Sequence, residues 1–209
     1  MASINTNYGA SIALQNLNKT NSELERTQNR INTGMKVSSA KDSGAIYSIA
    51  TSQRAAAASQ DAVRAGLQRT QSITDVALAA GDTITAALEE MKGLAVSIAG
   101  STGAAQTSYL AEYNALGTEI ASAITGASFD GVNSLTALGS NAAITAVNTG
   151  SITAANATTA NVDAAIAATT STLSTLGTQS KSLGRQISFV NKLQDALEAG
   201  VGNLVDADL

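Results

Sequence analysis

The clearest pattern lies near the C-terminus. Leu176, Leu183, Val190, Leu197 and Leu204 stand seven residues apart. Leu173, Ile187 and Val201 occupy the second seam position, with Ser180 and Gln194 as polar exceptions. A seven-residue apolar repeat keeps one stripe of a helix facing a partner, so residues 162–205 are predicted as one coiled-coil-like helix. A weaker repeat opens the chain. Ala10, Leu17, Leu24 and Ile31 share the same spacing, Leu14 and Met35 lie on the neighbouring position, and Asn21 and Gln28 interrupt the series. Residues 1–43 therefore read as helical after a loose start, with a break at Gly34 and a seam that wants a partner helix.

Between these ends, residues 44–99 read as a second helix. Ala55–Ala58 has high helix propensity, and Ile46, Ile49, Val63, Leu67, Ile73 and Val76 supply an apolar side. Ile84, Leu88, Met91, Leu94 and Ile98 follow at steps of three and four. Run continuously, this helix would extend about 84 Å. Gly100-Ser101-Thr102-Gly103 ends it, and residues 105–125 form a third helix with Leu110, Tyr113, Leu116 (or Gly117), Ile120 and Ile124 on its face. The short connection favours an antiparallel pair. The character changes over 126–160. An Asp-Gly turn signal lies in Ser128-Phe129-Asp130-Gly131-Val132 and a second turn in Asn148-Thr149-Gly150-Ser151. Ile144, Val147 and Ile152 are predicted as short strands, giving one or two small hairpins. The predicted class is mainly α: long antiparallel helices in a coiled-coil-like bundle with a small β-hairpin region near 126–160.

Composition narrows the chemistry. The 209 residues include no Cys, His, Trp or Pro, and aromatics are 3%. Without His or Cys there is no Ser-His-Asp triad, thiol nucleophile, disulfide or usual zinc site. Average usage would give about ten prolines. Their absence suits long uninterrupted helices, since an interior Pro removes a hydrogen bond and clashes with the preceding turn. Net charge is −4, which argues against a nucleic-acid binder. No apolar run is long enough to span a membrane. Met1 to Asn18 has neither Lys nor Arg and no long apolar stretch, unlike a Sec-type signal peptide.

No catalytic constellation emerges. Glu89 and Glu90 are adjacent, and neighbours on a helix do not face one another. Ser39-Ala40-Lys41-Asp42 reads as a helix N-cap followed by an early acid. Between Asp130 and Lys181 the only charge is Asp163, within a Ser/Thr/Ala/Asn/Gly-rich stretch. No cofactor is expected and the chain is read as a non-enzyme.

Four segments carry a family resemblance. Asn32-Thr33-Gly34-Met35-Lys36-Val37-Ser38-Ser39-Ala40-Lys41-Asp42-Ser43-Gly44-Ala45 resembles the bacterial flagellin signature, in which a Ser-Gly break leads to Ser-Ala-Lys-Asp-Asp-Ala-Ala; Ser43 and Gly44 depart from it. Leu94-Ala95-Val96 followed by Ser101-Thr102 looks like the flagellin helix end. Phe129-Asp130-Gly131-Val132 looks like its Phe-Asn-Gly turn, and Leu204-Val205-Asp206-Ala207-Asp208 looks like its Ile-x-Asp-Ala-Asp motif. The Ala- and Thr-rich style resembles the short flagellins of alphaproteobacteria.

The resemblance implies a secreted, self-assembling subunit of the bacterial flagellar filament. It implies an N-terminal helical terminal region over 1–43 and a core rod domain over 44–209. The implied partners are other flagellin subunits, an export chaperone, the flagellar type III export apparatus and the filament cap. Leu14, Leu17, Leu24, Ile31 and Met35 are the expected terminal-helix packing residues, and Leu176, Leu183, Val190, Leu197 and Leu204 the core seam. The family continues past the Asp-Ala-Asp motif into a helix that pairs with the N-terminal one. This sequence stops at Leu209, so residues 1–33 are expected to be mobile or held by another chain, and the 209 residues alone are expected not to build native filaments. In flagellins recognised by the vertebrate Toll-like receptor the matching helix reads Gln-Arg-Val-Arg-Glu-Leu-Ala-Val. Here Glu89, Glu90, Met91, Lys92, Gly93 and Leu94 open that segment, so weak or absent agonism is expected. Thr145, Thr149, Ser151, Thr153, Thr158 and Thr159 are candidate O-glycosylation sites on an outward-facing stretch. The alternatives are a hook–filament junction protein or another secreted helical effector or adhesin.

Overall fold

The computed structural model describes residues 7–207. Helix α1 runs Tyr8–Thr33, α2 Gly44–Ala99 and α3 Gly103–Gly126. Strands β1 (Ser128–Phe129) and β2 (Val132–Asn133) follow, then the short helices α4 (Thr136–Gly139) and α5 (Ala142–Asn148), and finally α6 (Thr159–Val205). The predicted mainly helical class with a small antiparallel hairpin is the observed one, and α2 spans the residues expected of it. The chain divides into two compact units: residues 7–63 with 190–207 of the described chain, and residues 64–189.

In the second unit α2 and α6 run antiparallel. Ser180 Oγ donates to Asp75 Oδ1 at 3.3 Å, Leu173 packs where a side chain on Gly81 would sit, and Lys92 pairs with Asp163. Partners thus climb along α2 as they descend along α6. Ile84, Leu88, Met91 and Ile98 of α2 are fully buried, together with Val162 and Ala165 of α6. The predicted face of α3 completes this core. Tyr113, Gly117, Ile120 and Ile124 are buried, and Leu110 and Leu116 pack against its edge.

The hairpin forms where the Asp-Gly signal lies. Ser128 faces Asn133 and Phe129 faces Val132, and the turn holds Asp130 at φ 51° and Gly131 at φ 75°. Arg69 Nε meets Asp130 Oδ2 at 2.5 Å, tying the turn to α2. Helices α4 and α5 both pack on α3.

Ile144 and Val147 belong to α5, not to strands, and there is no second hairpin among the described residues. Asn141 caps the helix, its side-chain oxygen accepting from the Ala143 N–H at 2.9 Å. The three-residue step from Ile144 to Val147 then buries both side chains on one face. Ile152 lies in irregular chain, held by Asn114. The Asn114 Oδ1 accepts from the Ile152 N–H at 2.6 Å and Nδ2 donates to the Ile152 carbonyl at 3.0 Å. One amide side chain thus does for this loop what a neighbouring strand would do in a sheet.

The first unit is held by fewer contacts. Ala50, Val201 and Val205 are buried together, with Met35 and Leu204 packed against them. The Val205 carbonyl accepts from the N–H groups of Lys36 (2.6 Å) and Val37 (3.2 Å), and the Ala207 N–H donates to the Gly34 carbonyl (3.0 Å). The signature around Gly34 and the motif around Asp206, far apart in sequence, therefore meet.

Candidate assembly surface

Helix α1 begins at Asn7, whose Oδ1 accepts from the Ala10 N–H at 3.2 Å. It ends at Gly34, in the left-handed conformation at φ 68°, where the Gly34 N–H donates to the Arg30 carbonyl. The hydroxyls of Thr20, Thr27 and Thr33 donate to carbonyls four residues back, so they need no outside partner. No residue of the helix is buried. Its stripe is exposed as well: Leu14 59%, Leu17 57%, Leu24 54% and Ile31 60%. Met35, expected on the same seam, lies beyond the Gly34 break and packs with the Ala50 cluster.

Along α6 the seam alternates between depths. Leu176 and Val190 are buried, and Leu183, Leu197 and Leu204 are half-buried. In the 89–94 segment Met91 is fully buried and Leu94 packs on the core, while Glu89, Glu90 and Gly93 are exposed. Lys92 Nζ lies 2.6 Å from Asp163 Oδ1. Thr145, Thr149, Ser151 and Thr153 are exposed; Thr158 and Thr159 are half-buried. Thr158 Oγ1 accepts from the Asn161 N–H at 3.3 Å, at the start of α6.

The 38–43 segment is built differently from a simple helix cap. Asp42 turns back, and its Oδ2 accepts from the N–H and hydroxyl groups of both Ser38 and Ser39 at 3.0–3.2 Å. These bonds, the Ser39 N–H first, hold its carboxyl below the ordinary aspartate range. Ser43 takes the cap position instead, its Oγ accepting from the Ile46 N–H at 3.4 Å. A carboxylate reached by two N–H groups and two hydroxyls is better satisfied closing this turn than at the helix end.

Tyr113 is the other shifted group. Burial pushes its phenol up to about 12, and its hydroxyl has no hydrogen-bond partner among the described residues. Its ring is fully buried in the unit's core. Among the described residues no group of three or more Asp and Glu side chains could hold a metal ion, and no helix is long and apolar enough to cross a membrane.

Sequence reasoning missed a polar cleft of about 460 Å³ between the last turns of α1 and the 35–42 segment. Its only sequence trace is the cationic set Arg26, Arg30 and Lys41 near the Gly34 break.

The fold and its surface define a mainly helical protein with an exposed apolar stripe, Leu14, Leu17, Leu24 and Ile31, along α1. Comparison with known proteins gives that class a family. Residues 4–142 match the bacterial flagellin N-terminal helical region and residues 159–209 the bacterial flagellin C-terminal helical region. The chain is 46% identical to flagellin FljK and 45% to flagellin FljM of Caulobacter vibrioides, over 99% of this chain and 85% of each relative. It is 31% identical to a flagellin of Brucella melitensis, over all of this chain and 87% of that protein. The chain belongs to the bacterial flagellin family and is a structural subunit of the flagellar filament, which assembles from flagellin subunits outside the cell.

Proposed function

We propose that this chain leaves the cell through the flagellar type III route without a cleaved signal and enters the extracellular filament by packing the α1 stripe against helices of other subunits. An export chaperone and the filament cap are its transient partners. The observation that carries this reading is a 26-residue helix that buries none of its residues yet displays Leu14, Leu17, Leu24 and Ile31 along one stripe. An isolated helix is marginal in water. Covering the exposed half of each of these side chains contributes roughly 1 kcal/mol or more. Residues 1–43 serve as the terminal assembly region and 44–209 as the core region. The chain works by packing, without catalysis or cofactor.

The test is expression of the Leu17→Asn/Leu24→Asn variant in cells that build filaments from a related flagellin. The variant should be secreted with helix content unchanged and stay out of those filaments, which the unsubstituted chain enters. Equal incorporation of the two would contradict the reading. Mass spectrometry of secreted chain should find a start at Met1 or Ala2; loss of a leader contradicts the export route.

The 145–159 stretch is proposed to carry O-linked sugars, with exposed Thr145, Thr149, Ser151 and Thr153 ahead of half-buried Thr158 and Thr159. Glycans would hydrate a surface nearly free of charge. An intact mass of native protein equal to the sequence mass would refute this.

A further inference from the structure

We propose that the cleft between the last turns of α1 and the 35–42 segment receives a carboxylate side chain from a second copy of this chain. The inference rests on the filament reading and adds a polar contact to the apolar one. The cleft is lined by Glu25, Arg26, Arg30, Lys41 and Asp42 among others. Three cations thus face two carboxylates, an excess of one positive charge, and the Oδ2 of Asp42 is already taken by the Ser38 and Ser39 donors. Glu25, Arg26, Arg30 and Lys41 form no ion pair or side-chain hydrogen bond among the described residues.

Arg30 separates this cleft from an ordinary charged surface. Its Nε is cut off from solvent and has no acceptor. A desolvated guanidinium N–H left without an acceptor is unfavourable. A carboxylate offered to its fork restores charge-assisted bonding, and Arg26 and Lys41 add attraction from the same cleft.

Charge complementarity points to the chain itself as the source. Net charge is −4, and exposed Glu89, Glu90, Glu112 and Glu119 have no ion-pair partner among the described residues. A subunit packed among copies of itself therefore meets carboxylates in excess.

Zero-length cross-linking tests this. A carbodiimide joins an amine to a carboxylate only where the two touch. Filaments in which equal parts ¹⁴N- and ¹⁵N-labelled chain are co-assembled with a related flagellin are treated, digested and analysed by mass spectrometry. Lys41 should be joined to an Asp or Glu in mixed-isotope peptide pairs, in filaments and not in monomer. The Arg26→Gln/Arg30→Gln variant should keep its helix content while its critical concentration for assembly rises roughly tenfold. Filaments in which Lys41 stays unlinked, or is linked only within one copy, overturn the inference and leave the filament reading intact. So does protection of monomer Lys41 from acetylation by inorganic phosphate together with an unlinked Lys41 in filaments, which would make a free anion the occupant. Failure of the unsubstituted chain to enter such filaments overturns the filament reading and this inference with it.

Discussion

Met35 and Asp206 face each other in an antiparallel bridge. Around it Gly34, Lys36 and Val37 bond to Val205 and Ala207, so the break after α1 is zipped to the end of α6. Gly34 permits this by turning at φ 68° with open space around its Cα. Gly34→Ala should cost roughly 1–2 kcal/mol through backbone conformation alone, and Gly34→Asn less. Amide exchange at Lys36 and Val37 reads the effect; unchanged protection in Gly34→Ala would contradict it.

Gly117 makes a different demand. A Cβ there would lie 2.5 Å from the Val147 carbonyl oxygen and 3.3 Å from Asn148 Cα. Both obstacles are backbone, so α5 would have to move off α3. Gly117→Ala should destabilise by about 1–3 kcal/mol. Gly66→Ala, on exposed α2 surface with nothing within 4 Å, should stabilise by roughly 0.5–1 kcal/mol. Denaturant melts of the two variants should move in opposite directions.

The turn at Asp42 should respond to acid. Its carboxyl is held below the ordinary range by the Ser39 and Ser38 groups. The ionised form is therefore favoured in the folded chain, and its contribution is fully present above the unfolded aspartate value. That contribution is lost as pH falls through the lower folded value. Carboxyl NMR titration should give a depressed midpoint for Asp42, with faster exchange of the Ser38 and Ser39 amides below it. Asp42→Asn should remove that acid-dependent step; a midpoint at the ordinary value would contradict the account.

Poor agonism of the vertebrate Toll-like receptor is expected from the 89–94 segment. Glu90 is exposed and acidic where recognised flagellins carry Arg, Gly93 offers no carboxylate, and Lys92 is engaged by Asp163. An Arg fork cannot be replaced by a group of opposite charge. A reporter-cell assay should show potency well below a strong agonist, and equal potency would contradict it.

Long elements were legible because their signal repeats. Five apolar residues from Leu176 to Leu204 fix α6, and Tyr113, Ile120 and Ile124 fix α3. The Asp130-Gly131 turn announced the hairpin. Ile144 and Val147 misled because a short apolar run between two turn signals has too few periods to separate strand from helix; Asn141 capping decided it. Asp42 misled because its nearest donors lie behind it in sequence, at Ser38 and Ser39. The α1 stripe was legible at Leu14, Leu17, Leu24 and Ile31 but not at Met35, which lies past the Gly34 break and packs with Ala50. The cleft at Arg30 was not legible, since it exists only once the 35–42 segment folds back beside the helix.

The central claim is that the α1 stripe is an assembly face. Its most direct measurement is a cryo-EM reconstruction of filaments containing this chain. The account predicts Leu14, Leu17, Leu24 and Ile31 buried against helices of neighbouring subunits. Filaments in which those four side chains still face solvent would contradict it.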